Sequence, residues 1–345
     1  MTISIGINGF GRIGRQVCRI VFSRKHPKCI VSAINSTKSP EYLAYMFQYD
    51  TVHGKWSGSV SYTDDSLIIN SNRIRVFQYR DPKQIPWKSV GVECVCESTG
   101  VFRTSETAKA HIEREKGYPE GAKYVVISAP SKDDTPMFVM GANHEKYSGE
   151  KIVSCASCTT NCLAPLVKII NNKFGVDEAL MTTIHSTTSS QLVVDGSSKG
   201  GKDWRGGRAA SNNIIPSSTG AAAAVGKVLP ELAGKITGMA VRVPTINVSM
   251  VDLTCRLKKQ TTKSELIQCF REILDDPKYK SIIGYTEEML VSSDFIGETR
   301  SAVLDVNACV SINDGFWKFI AWYDNEVGYS NRLVDLIIYM KTMNC

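Results

Sequence analysis

The chain opens with a short apolar run that leads directly into a glycine-rich loop and then into a helical pattern. Ile3–Ile7 is typical of a strand and Gly9-Phe-Gly11-Arg-Ile-Gly14 of a loop, and the apolar residues of Ile13–Val21 recur at helical spacing. A second apolar run, Ile30–Ile34, follows. A strand, a helix and another strand in this order form a βαβ unit with parallel strands, which predicts an α/β fold.

The glycine spacing G-x-G-x-x-G in this unit is typical of a loop that binds a dinucleotide. In the dinucleotide-binding fingerprint, Gly9 permits a tight turn, Gly11 lets a pyrophosphate approach the backbone, and Gly14 lets helix and strand pack closely. The helix N-terminus presents N–H groups to the anion. Because the strand and the helix are the context that this motif requires, we predict a Rossmann-type, doubly wound parallel sheet that binds a dinucleotide. The alternative is a glycine-rich turn without a ligand.

The second strand does not end in the acidic residue that usually holds the ribose hydroxyls of the dinucleotide. Ser36 stands at this position, followed by Thr37 and Lys38. A serine hydroxyl can hydrogen-bond a ribose, but it does not repel a 2′-phosphate as a carboxylate does, and Lys38 would attract one. NAD is the expected cofactor, with NADP as the alternative.

The two halves of the chain differ in their further patterns. The first half contains candidate strands at Cys94–Cys96 and Tyr124–Ser128, and a hairpin over Ser66–Phe77 that turns at Asn70-Ser71-Asn72. In the second half, apolar and polar residues alternate over Val251–Leu257 and Leu304–Ile312, as in half-buried antiparallel strands. Further predicted elements are an aromatic-rich strand, two helices and a closing helix: Phe316–Tyr323, Thr219–Val225, Lys263–Leu274 and Leu333–Met340. Since 345 residues are more than one core usually serves, we expect a second, α+β domain with a mostly antiparallel sheet.

Composition and charge argue against several classes of protein. The net charge is +7, but Lys and Arg form no block, so nucleic acid is not expected as a primary partner. No apolar run approaches the roughly 18 residues that suggest a membrane span, and no secretory signal precedes the first strand. The 11 cysteines show no framework spacing, so we expect reduced thiols and a cytoplasmic location.

A candidate nucleophile, Cys158, lies between a predicted strand, Lys151–Ser154, and a helix that begins near Thr159. A thiolate at a helix N-terminus is stabilised by the helix dipole, which predicts a lowered pKa for Cys158. A nucleophilic cysteine also needs a base, and His185 stands at the end of a predicted strand in a polar run. A single histidine is more often structural than catalytic, so this assignment depends on the residues around it.

Cys155 and Cys158 also form a C-x-x-C pair, which has two other interpretations. A zinc site would need two more ligands at matching spacing, and neither a second C-x-x-C nor a paired histidine motif occurs, so no metal is predicted. A redox pair stays open, because a disulfide between the two cysteines would silence the nucleophile.

Five segments together resemble the phosphorylating glyceraldehyde-3-phosphate dehydrogenases. They run in the family's order over essentially the whole chain: Ile7–Arg15, Ser157–Cys162, Trp204–Arg208, Arg242–Thr245 and Trp322–Tyr329. The resemblance implies a glycolytic reaction in which an aldehyde, NAD and inorganic phosphate give an acyl phosphate and NADH. Cys158 would attack the aldehyde and then carry a thioester, with His185 as the base. The resemblance also implies a homotetramer in which Asp195–Arg208 reaches a neighbouring subunit.

The resemblance assigns binding residues and domains as well. On the cofactor side it implies Gly9, Gly11, Arg12, Ile13, Gly14, Ser36, Arg80, Thr99, Gly100, Ser128 and Asn325. It implies that the substrate and two phosphate positions are held by Ser157, Thr159, Thr188, Thr219, Gly220 and Arg242. Because the closing helix would return to the first domain, we expect a dinucleotide-binding domain of residues 1–157 and 324–345 and a catalytic domain of residues 158–323.

Three features depart from the family's pattern. Ser36 replaces the usual aspartate, Cys155 replaces the usual asparagine, and Asp195–Trp204 is longer and richer in glycine than the usual loop. Within the family, the alternative is a dehydrogenase of erythrose 4-phosphate or an NADP-preferring member. Outside it, the alternatives are a thiol hydrolase built on Cys158 and His185, which leaves the glycine loop without a role, and an RNA-binding protein.

Overall fold

The computed structural model describes residues 2–23, 28–112, 116–198, 201 and 203–344. The chain forms two compact units. The first comprises residues 1–138, 145–156 and 330–345, and the second comprises residues 139–144 and 157–329. None of the helices formed by the described residues is long and apolar enough to cross a membrane.

The unit bounds differ a little from the expected domains, because two segments pack with the second unit. Segment 139–144 belongs there, where the carbonyl oxygen of Ala142 accepts a hydrogen bond from Lys168 Nζ. Residues 324–329 also stay there, since the Asp324 carboxylate accepts hydrogen bonds from Asn247 Nδ2 (2.9 Å) and the Gly297 N–H (2.8 Å). The assignment of cofactor binding and catalysis to separate domains stays a prediction.

The first unit is built on an eight-stranded sheet. Its strands are β1 (Ile3–Asn8), β2 (Cys29–Asn35), β3 (Val60–Thr63), β4 (Ser66–Ile69), β5 (Asn72–Phe77), β6 (Cys94–Glu97), β7 (Tyr124–Ile127) and β8 (Ile152–Ser154), and its helices are α1 (Arg12–Ser23), α2 (Pro40–Gln48) and α3 (Ser105–Ala108). The strand order is β3-β4-β5-β2-β1-β6-β7-β8, and all pairs from β5 to β8 are parallel. The chain moves outward from β1 on one side and then returns to add β6 on the other. This is the doubly wound order, and the predicted fold class is confirmed.

The predicted strands of this unit are confirmed, and most of their residues are buried. All six residues of β1 are buried, as expected for a central parallel strand. The predicted hairpin is also confirmed: β4 and β5 pair antiparallel, and Asn70 and Ser71 turn the chain at φ +47° and +66°. Positive φ at both central residues matches the twist of a tight hairpin.

The second unit contains a mixed sheet covered by helices. Its helices are α4 (Cys158–Phe174), α5 (Ala221–Val228), α6 (Lys263–Asp275) and α7 (Pro277–Lys280), and its strands are β9 (Val176–His185), β10 (Ile215–Ser218), β11 (Ile236–Arg242), β12 (Ser249–Leu257), β13 (Ile283–Thr286), β14 (Ala302–Asp305), β15 (Val310–Asn313) and β16 (Phe316–Tyr323). The order is β10-β11-β9-β12-β16-β14-β13, with β15 paired to β16. Only the pairs β9–β11 and β13–β14 are parallel, so the expected mostly antiparallel sheet is confirmed.

One predicted strand of the second unit is wrong. The alternation over Leu304–Ile312 predicts a continuous, half-buried strand, but β14 ends at Asp305 and β15 begins only at Val310. The Asp305 carboxylate accepts a hydrogen bond from the Ala308 N–H (3.0 Å), which closes a turn between the two strands. Val310 and Ile312 are therefore exposed, although the period-2 pattern placed them inside.

The closing helix, α8 (Val327–Met343), begins in the second unit and ends in the first. Leu333, Leu336, Ile337 and Met340 are buried, which confirms the predicted helix. At its end, Lys341 Nζ lies 2.7 Å from the Glu93 carboxylate of the first unit.

Candidate active site

The glycine loop has the geometry that each glycine of the fingerprint requires. Gly9 adopts φ +93°, and a Cβ there would lie 2.8 Å from the Thr99 nitrogen. A Cβ at Gly14 would lie 2.1 Å from the Gly9 carbonyl oxygen, so only glycine lets α1 pack this closely on the loop. A Cβ at Gly11 would meet no atom within 4 Å, which leaves the backbone open to a large anion. With α1 beginning at Arg12, these residues fit a bound pyrophosphate.

The predicted cofactor residues of the first unit gather along one edge of its sheet. Each follows the carboxyl end of a parallel strand: Gly9 follows β1, Ser36 follows β2, Arg80 follows β5, Thr99 and Gly100 follow β6, and Ser128 follows β7. Strand order reverses between β1 and β6, and in open α/β sheets the crevice outside such a reversal is where ligands bind. The individual roles of these residues stay predictions.

Ser36 lies just after the end of β2, where the dinucleotide fingerprint usually has an acidic residue. Its Oγ accepts a hydrogen bond from the Lys38 N–H (3.3 Å), and its own N–H donates to the Phe77 carbonyl (2.9 Å). This second bond joins the ends of β2 and β5, three residues before the exposed Arg80. The expected ribose position thus has a hydroxyl, and two exposed cationic residues, Lys38 and Arg80, follow the ends of the same two strands.

Arg12, a predicted cofactor residue, has its charge already paired. Its guanidinium donates two hydrogen bonds to the Asp50 carboxylate, at 2.6 and 3.1 Å. Burial tends to raise the pKa of Asp50, but hydrogen bonds from Arg12 and from the His53 and Val52 N–H groups lower it to about 2. The backbone of Arg12 lies at the start of α1, where half-buried Ile13 follows, and the roles of both residues in cofactor binding stay predictions.

The candidate nucleophile is the first residue of α4. Ser157 caps this helix, since its Oγ accepts a hydrogen bond from the Thr160 N–H (3.0 Å), as serine does at helix N-termini. Cys158 Sγ lies 3.5 Å from His185 Nε2, within hydrogen-bonding distance for sulfur. The predicted helix start and the predicted strand end at His185 are both confirmed, and the structure brings the two side chains together.

The prediction that the pKa of the Cys158 thiol is lowered is wrong. Burial raises the pKa of Cys158 above its ordinary value, and this outweighs the lowering by the Arg242 charge and by hydrogen bonds from Thr159 and the backbone. The helix start stabilises a thiolate, but desolvation of the sulfur opposes it. The resting thiol is therefore protonated, and a neighbouring base is required to remove the proton.

The charge state of His185 suits it to act as this base, and two competing contacts of its Nδ1 determine its tautomer. Burial and the Arg242 charge lower its pKa to about 4, so the imidazole is neutral at pH 7. Nδ1 lies 2.8 Å from the Ser186 carbonyl oxygen and 2.6 Å from Arg242 Nη1. It can donate to Ser186 or accept from Arg242, but not both at once. Only the first arrangement leaves Nε2 as the acceptor that faces sulfur.

Arg242 reaches His185 because the strands align them. β11 and β9 are parallel neighbours, and Arg242 stands in register with His185 at their ends. The half-buried guanidinium also lies 3.3 Å from the Ser186 carbonyl oxygen. Arg242 is thus part of the site rather than a solvated strand charge.

The structure also shows a buried tyrosine that the sequence reasoning missed. Tyr323 places its hydroxyl 2.9 Å from Thr159 Oγ1 and 2.8 Å from Thr183 Oγ1, and its ring meets His185 edge-on at 6.1 Å. Its place at the end of the predicted strand Phe316–Tyr323, inside the motif Trp322–Tyr329, was the available signal. Tyr323 fixes the hydroxyl of Thr159, the residue that follows the nucleophile.

Asn325 is held by two hydroxyls of the second unit. Its Oδ1 accepts hydrogen bonds from Ser186 Oγ (2.8 Å) and Ser249 Oγ (3.0 Å). These contacts fix the orientation of the side-chain amide next to the backbone of His185. Neither serine was singled out from the sequence.

The remaining predicted phosphate residues lie at a loop and a helix start. Thr188 Oγ1 is 3.0 Å from Ser190 Oγ, and Thr219 Oγ1 accepts from the Ala221 N–H (3.2 Å) at the start of α5. Gly220 is the exposed N-cap of that helix, which begins at Ala221, two residues after the predicted start at Thr219. Among the described residues, neither Thr219 nor Gly220 hydrogen-bonds to Cys158, His185 or Arg242. Their role stays a prediction.

The cysteines form no second centre in the part of the chain that the structure describes. All ten cysteines within it are free thiols, and Cys155 is fully buried. The same residues contain no group of three or more His, Cys, Asp and Glu side chains placed to hold a metal ion. The Cys155–Cys158 redox pair stays a prediction.

Comparison with known proteins identifies the family. Residues 3–105 match the model described as glyceraldehyde 3-phosphate dehydrogenase, NAD binding domain, and residues 157–325 match its C-terminal domain. The chain is 55% identical over 340 residues to glyceraldehyde-3-phosphate dehydrogenase A of Escherichia coli strain K12 and to the dehydrogenase of Salmonella typhimurium, with 99% of each chain covered. It is 54% identical over 345 residues to the same enzyme of Wickerhamomyces ciferrii, with both chains fully covered. The chain therefore belongs to the glyceraldehyde-3-phosphate dehydrogenase family.

Proposed function

We propose that the chain is a glycolytic enzyme that oxidises glyceraldehyde 3-phosphate to 1,3-bisphosphoglycerate with NAD and inorganic phosphate. The observation that carries this proposal is the 3.5 Å approach of Cys158 Sγ to His185 Nε2, within a unit that matches the C-terminal domain of the family. The glycine loop of the first unit fits a dinucleotide and lies within the matched NAD binding domain. Family, geometry and cofactor site point to one reaction.

His185 starts the reaction by taking the proton of the Cys158 thiol at Nε2. The sulfur then bonds to the aldehyde carbon, and the proton on His185 Nε2 passes to the aldehyde oxygen, which becomes the hydroxyl of a thiohemiacetal. His185 next removes that hydroxyl proton while a hydride leaves the same carbon, which gives a thioester on Cys158. Bound NAD supplies the hydride acceptor. A phosphate oxygen finally attacks the thioester carbon, the Cys158 thiolate leaves and takes back the proton from His185, and the acyl phosphate is released.

Arg242 links phosphate binding to the state of the base. As long as its guanidinium donates to Nδ1, His185 keeps its proton on Nε2 and cannot accept another. A phosphate group that draws the guanidinium away lets Nδ1 donate to the Ser186 carbonyl instead. Nε2 then becomes the acceptor that faces the thiol, so the base forms when the anion is bound.

The other phosphate contacts are proposed from residue chemistry. Thr188 and Thr219 supply hydroxyls, Gly220 supplies a backbone N–H at the start of α5, and Arg242 supplies a planar cation. Ser157 and Thr159 flank the nucleophile, where the cap and Tyr323 hold their hydroxyls in place. Asn325 is proposed to hydrogen-bond the nicotinamide amide through Nδ2, since its Oδ1 is occupied.

Absorbance at 340 nm tests the proposed reaction. NADH should form from glyceraldehyde 3-phosphate and NAD, and sustained turnover should require inorganic phosphate, because only phosphate cleaves the thioester efficiently. A dehydrogenase of erythrose 4-phosphate would turn that sugar over without phosphate. Sustained turnover of erythrose 4-phosphate alone would contradict the proposal.

Ser36 provides a prediction about cofactor choice. Ser36→Asp should lower kcat/KM with NADP about tenfold or more, because a carboxylate repels the 2′-phosphate, while NAD should gain or be unaffected. The matched control is Ser36→Asn, which is isosteric with aspartate and uncharged. Initial rates with both cofactors measure the effect. Equal NAD/NADP ratios in all three enzymes would show that this position does not discriminate.

We also propose a homotetramer in the cytoplasm. Leu180 and Met239 lie on one exposed face of the β9–β11 pair, and further large apolar residues of the second unit are more than 70% exposed: Val193, Val194, Trp204 and Ile214. Apolar surface of this extent is typical of a subunit interface. The expected inter-subunit loop Asp195–Arg208 includes residues 199, 200 and 202, which lie outside the described residues. Sedimentation velocity should give four times the chain mass, and a monomer at micromolar concentration would contradict the proposal. The free thiols of the described residues support the proposed cytoplasmic location, because disulfides are rare in that compartment.

A further inference from the structure

A row of buried polar side chains lies directly beneath the cofactor edge of the first unit, and the proposed mechanism does not use it. Asn35, Asn8 and Glu97 are the last residues of β2, β1 and β6, and they stand in register across the three strands. Their exposed fractions are 5%, 2% and 2%. Burying three polar side chains is unfavourable unless each is hydrogen-bonded, so their contacts explain why they are there.

The Glu97 carboxylate is the centre of this row. Oε2 accepts from Asn8 Nδ2 at 2.6 Å and lies 3.0 Å from His111 Nε2. Oε1 accepts from the Thr99 N–H at 2.8 Å and from the Thr99 hydroxyl. We define these residues, Asn35, Asn8, Glu97, His111 and Thr99, as the strand-end network.

The direction of each hydrogen bond in the strand-end network is determined by its neighbours. Trp87 Nε1 donates to His111 Nδ1 (3.1 Å), so His111 carries its proton on Nε2 and donates to Glu97. Asn35 Nδ2 donates to Asn8 Oδ1 (2.7 Å), so Asn8 must present its Nδ2 to Glu97. Glu97 therefore faces donors on every side, and only a carboxylate can accept from all of them.

The strand-end network holds both ends of the cofactor edge. At one end Asn35 Oδ1 accepts from the Tyr79 N–H and Asn35 Nδ2 donates to the Tyr79 carbonyl, both at 2.9 Å, just before Arg80. At the other end Glu97 holds Thr99, whose nitrogen lies where a Cβ on Gly9 would clash. Between them Ser98 Oγ donates to the Gly9 carbonyl oxygen (2.7 Å).

We propose that Glu97 is a positioning residue for dinucleotide binding: its carboxylate sets the Thr99–Gly100 turn against the glycine loop through hydrogen bonds that no neutral side chain can replace. The proposal rests on the proposed NAD-dependent activity. Glu97 touches neither substrate nor cofactor in this role. It preorganises the backbone that does, and loss of preorganisation weakens binding.

Glu97→Gln tests the proposal with a change of one polar group. The glutamine side chain must turn its NH2 group either toward Asn8 and His111 or toward Thr99. In both orientations the NH2 faces another hydrogen-bond donor, because the orientation of each partner is fixed by its own contacts. Calorimetry should show a Kd for NAD that is about tenfold higher, or about 1.4 kcal/mol. The KM for NAD should rise in parallel, while the KM for the aldehyde and the kcat at saturating NAD stay close to wild type.

Two comparisons separate positioning from a general loss of stability. Ser4→Ala removes a 2.6 Å hydrogen bond to Ser32 at the opposite end of β1 and should leave the Kd for NAD unchanged. His111→Gln keeps a donor for Glu97 and an acceptor for Trp87, so it should bind NAD better than His111→Leu. This pair also serves if Glu97→Gln does not fold.

The outcomes distinguish this inference from the proposed function. If the wild-type chain binds no NAD, the proposed function is wrong. If the wild type binds NAD and Glu97→Gln and His111→Leu bind it equally well, the function stands and the positioning role of Glu97 is wrong. If Ser4→Ala loses as much stability as Glu97→Gln and its Kd for NAD rises equally, the positioning role of Glu97 is also wrong.

Discussion

Cys158→Ser is expected to reduce phosphate-dependent NADH formation by roughly 10⁴-fold or more, the scale on which an enzyme loses turnover when its nucleophile is removed. A serine hydroxyl at the start of α4 keeps the size and the hydrogen bond to His185 but does not ionise near neutral pH. The covalent intermediate cannot form efficiently, so the loss should appear in kcat. Steady-state rates at saturating substrate measure it.

Two controls accompany this substitution. NAD binding by Cys158→Ser, measured by calorimetry, should match the wild type, because the glycine loop lies elsewhere in the chain. Cys162→Ser alters a buried thiol one turn along the same helix and should keep most of the activity. If Cys158→Ser turns over at the wild-type rate, or Cys162→Ser loses as much, Cys158 is not the nucleophile.

His185→Asn is expected to lower kcat by about 10²- to 10⁴-fold, the range for loss of a general acid–base residue. The effect should be large because burial holds the Cys158 pKa above its ordinary value, so the thiol does not ionise unaided at neutral pH. The sign of the pH dependence follows. Without the base, the rate depends on the thiolate fraction and should rise about tenfold per pH unit below the thiol pKa.

The wild-type enzyme should show a weaker rise over the same range, since its base is already neutral: the His185 pKa is about 4. A matched control is His144→Asn, which alters another buried histidine of the second unit and whose Oδ1 can accept from the Gly141 N–H. Parallel pH profiles for His185→Asn and wild type would contradict the role of His185 as the base.

Much of the fold follows from local patterns. β1 is buried over its whole length, β2 is buried except at Ile30 and Ser32, and the Asn70-Ser71 turn requires residues that tolerate positive φ, so periodicity and turn chemistry were sufficient. Leu304–Ile312 shows the limit of such patterns. Alternation cannot reveal that the Asp305 carboxylate captures the Ala308 N–H and ends the strand, because that bond depends on one side chain rather than on a period.

The candidate site was predictable where a residue type has few other uses in its context. A cysteine at a predicted helix start and a histidine at a predicted strand end gave the pair that the structure brings together. The pKa of Cys158 was not predictable, since it depends on how deeply the sulfur is buried. Tyr323 and Glu97 were missed for a related reason: Tyr323 acts through Thr159 and Glu97 is anchored by Asn8, and each of these partners is more than 80 residues away in the chain, where no local motif records the contact.

A single turnover without phosphate tests most directly whether Cys158 carries the acyl group. The enzyme is mixed with glyceraldehyde 3-phosphate and NAD, the absorbance at 340 nm is followed to the end of the burst, and the acid-quenched chain is digested for mass spectrometry. At most one NADH per chain should form, with a matching amount of acylated Cys158 peptide. Continued NADH formation with an unmodified Cys158 would contradict this role of Cys158.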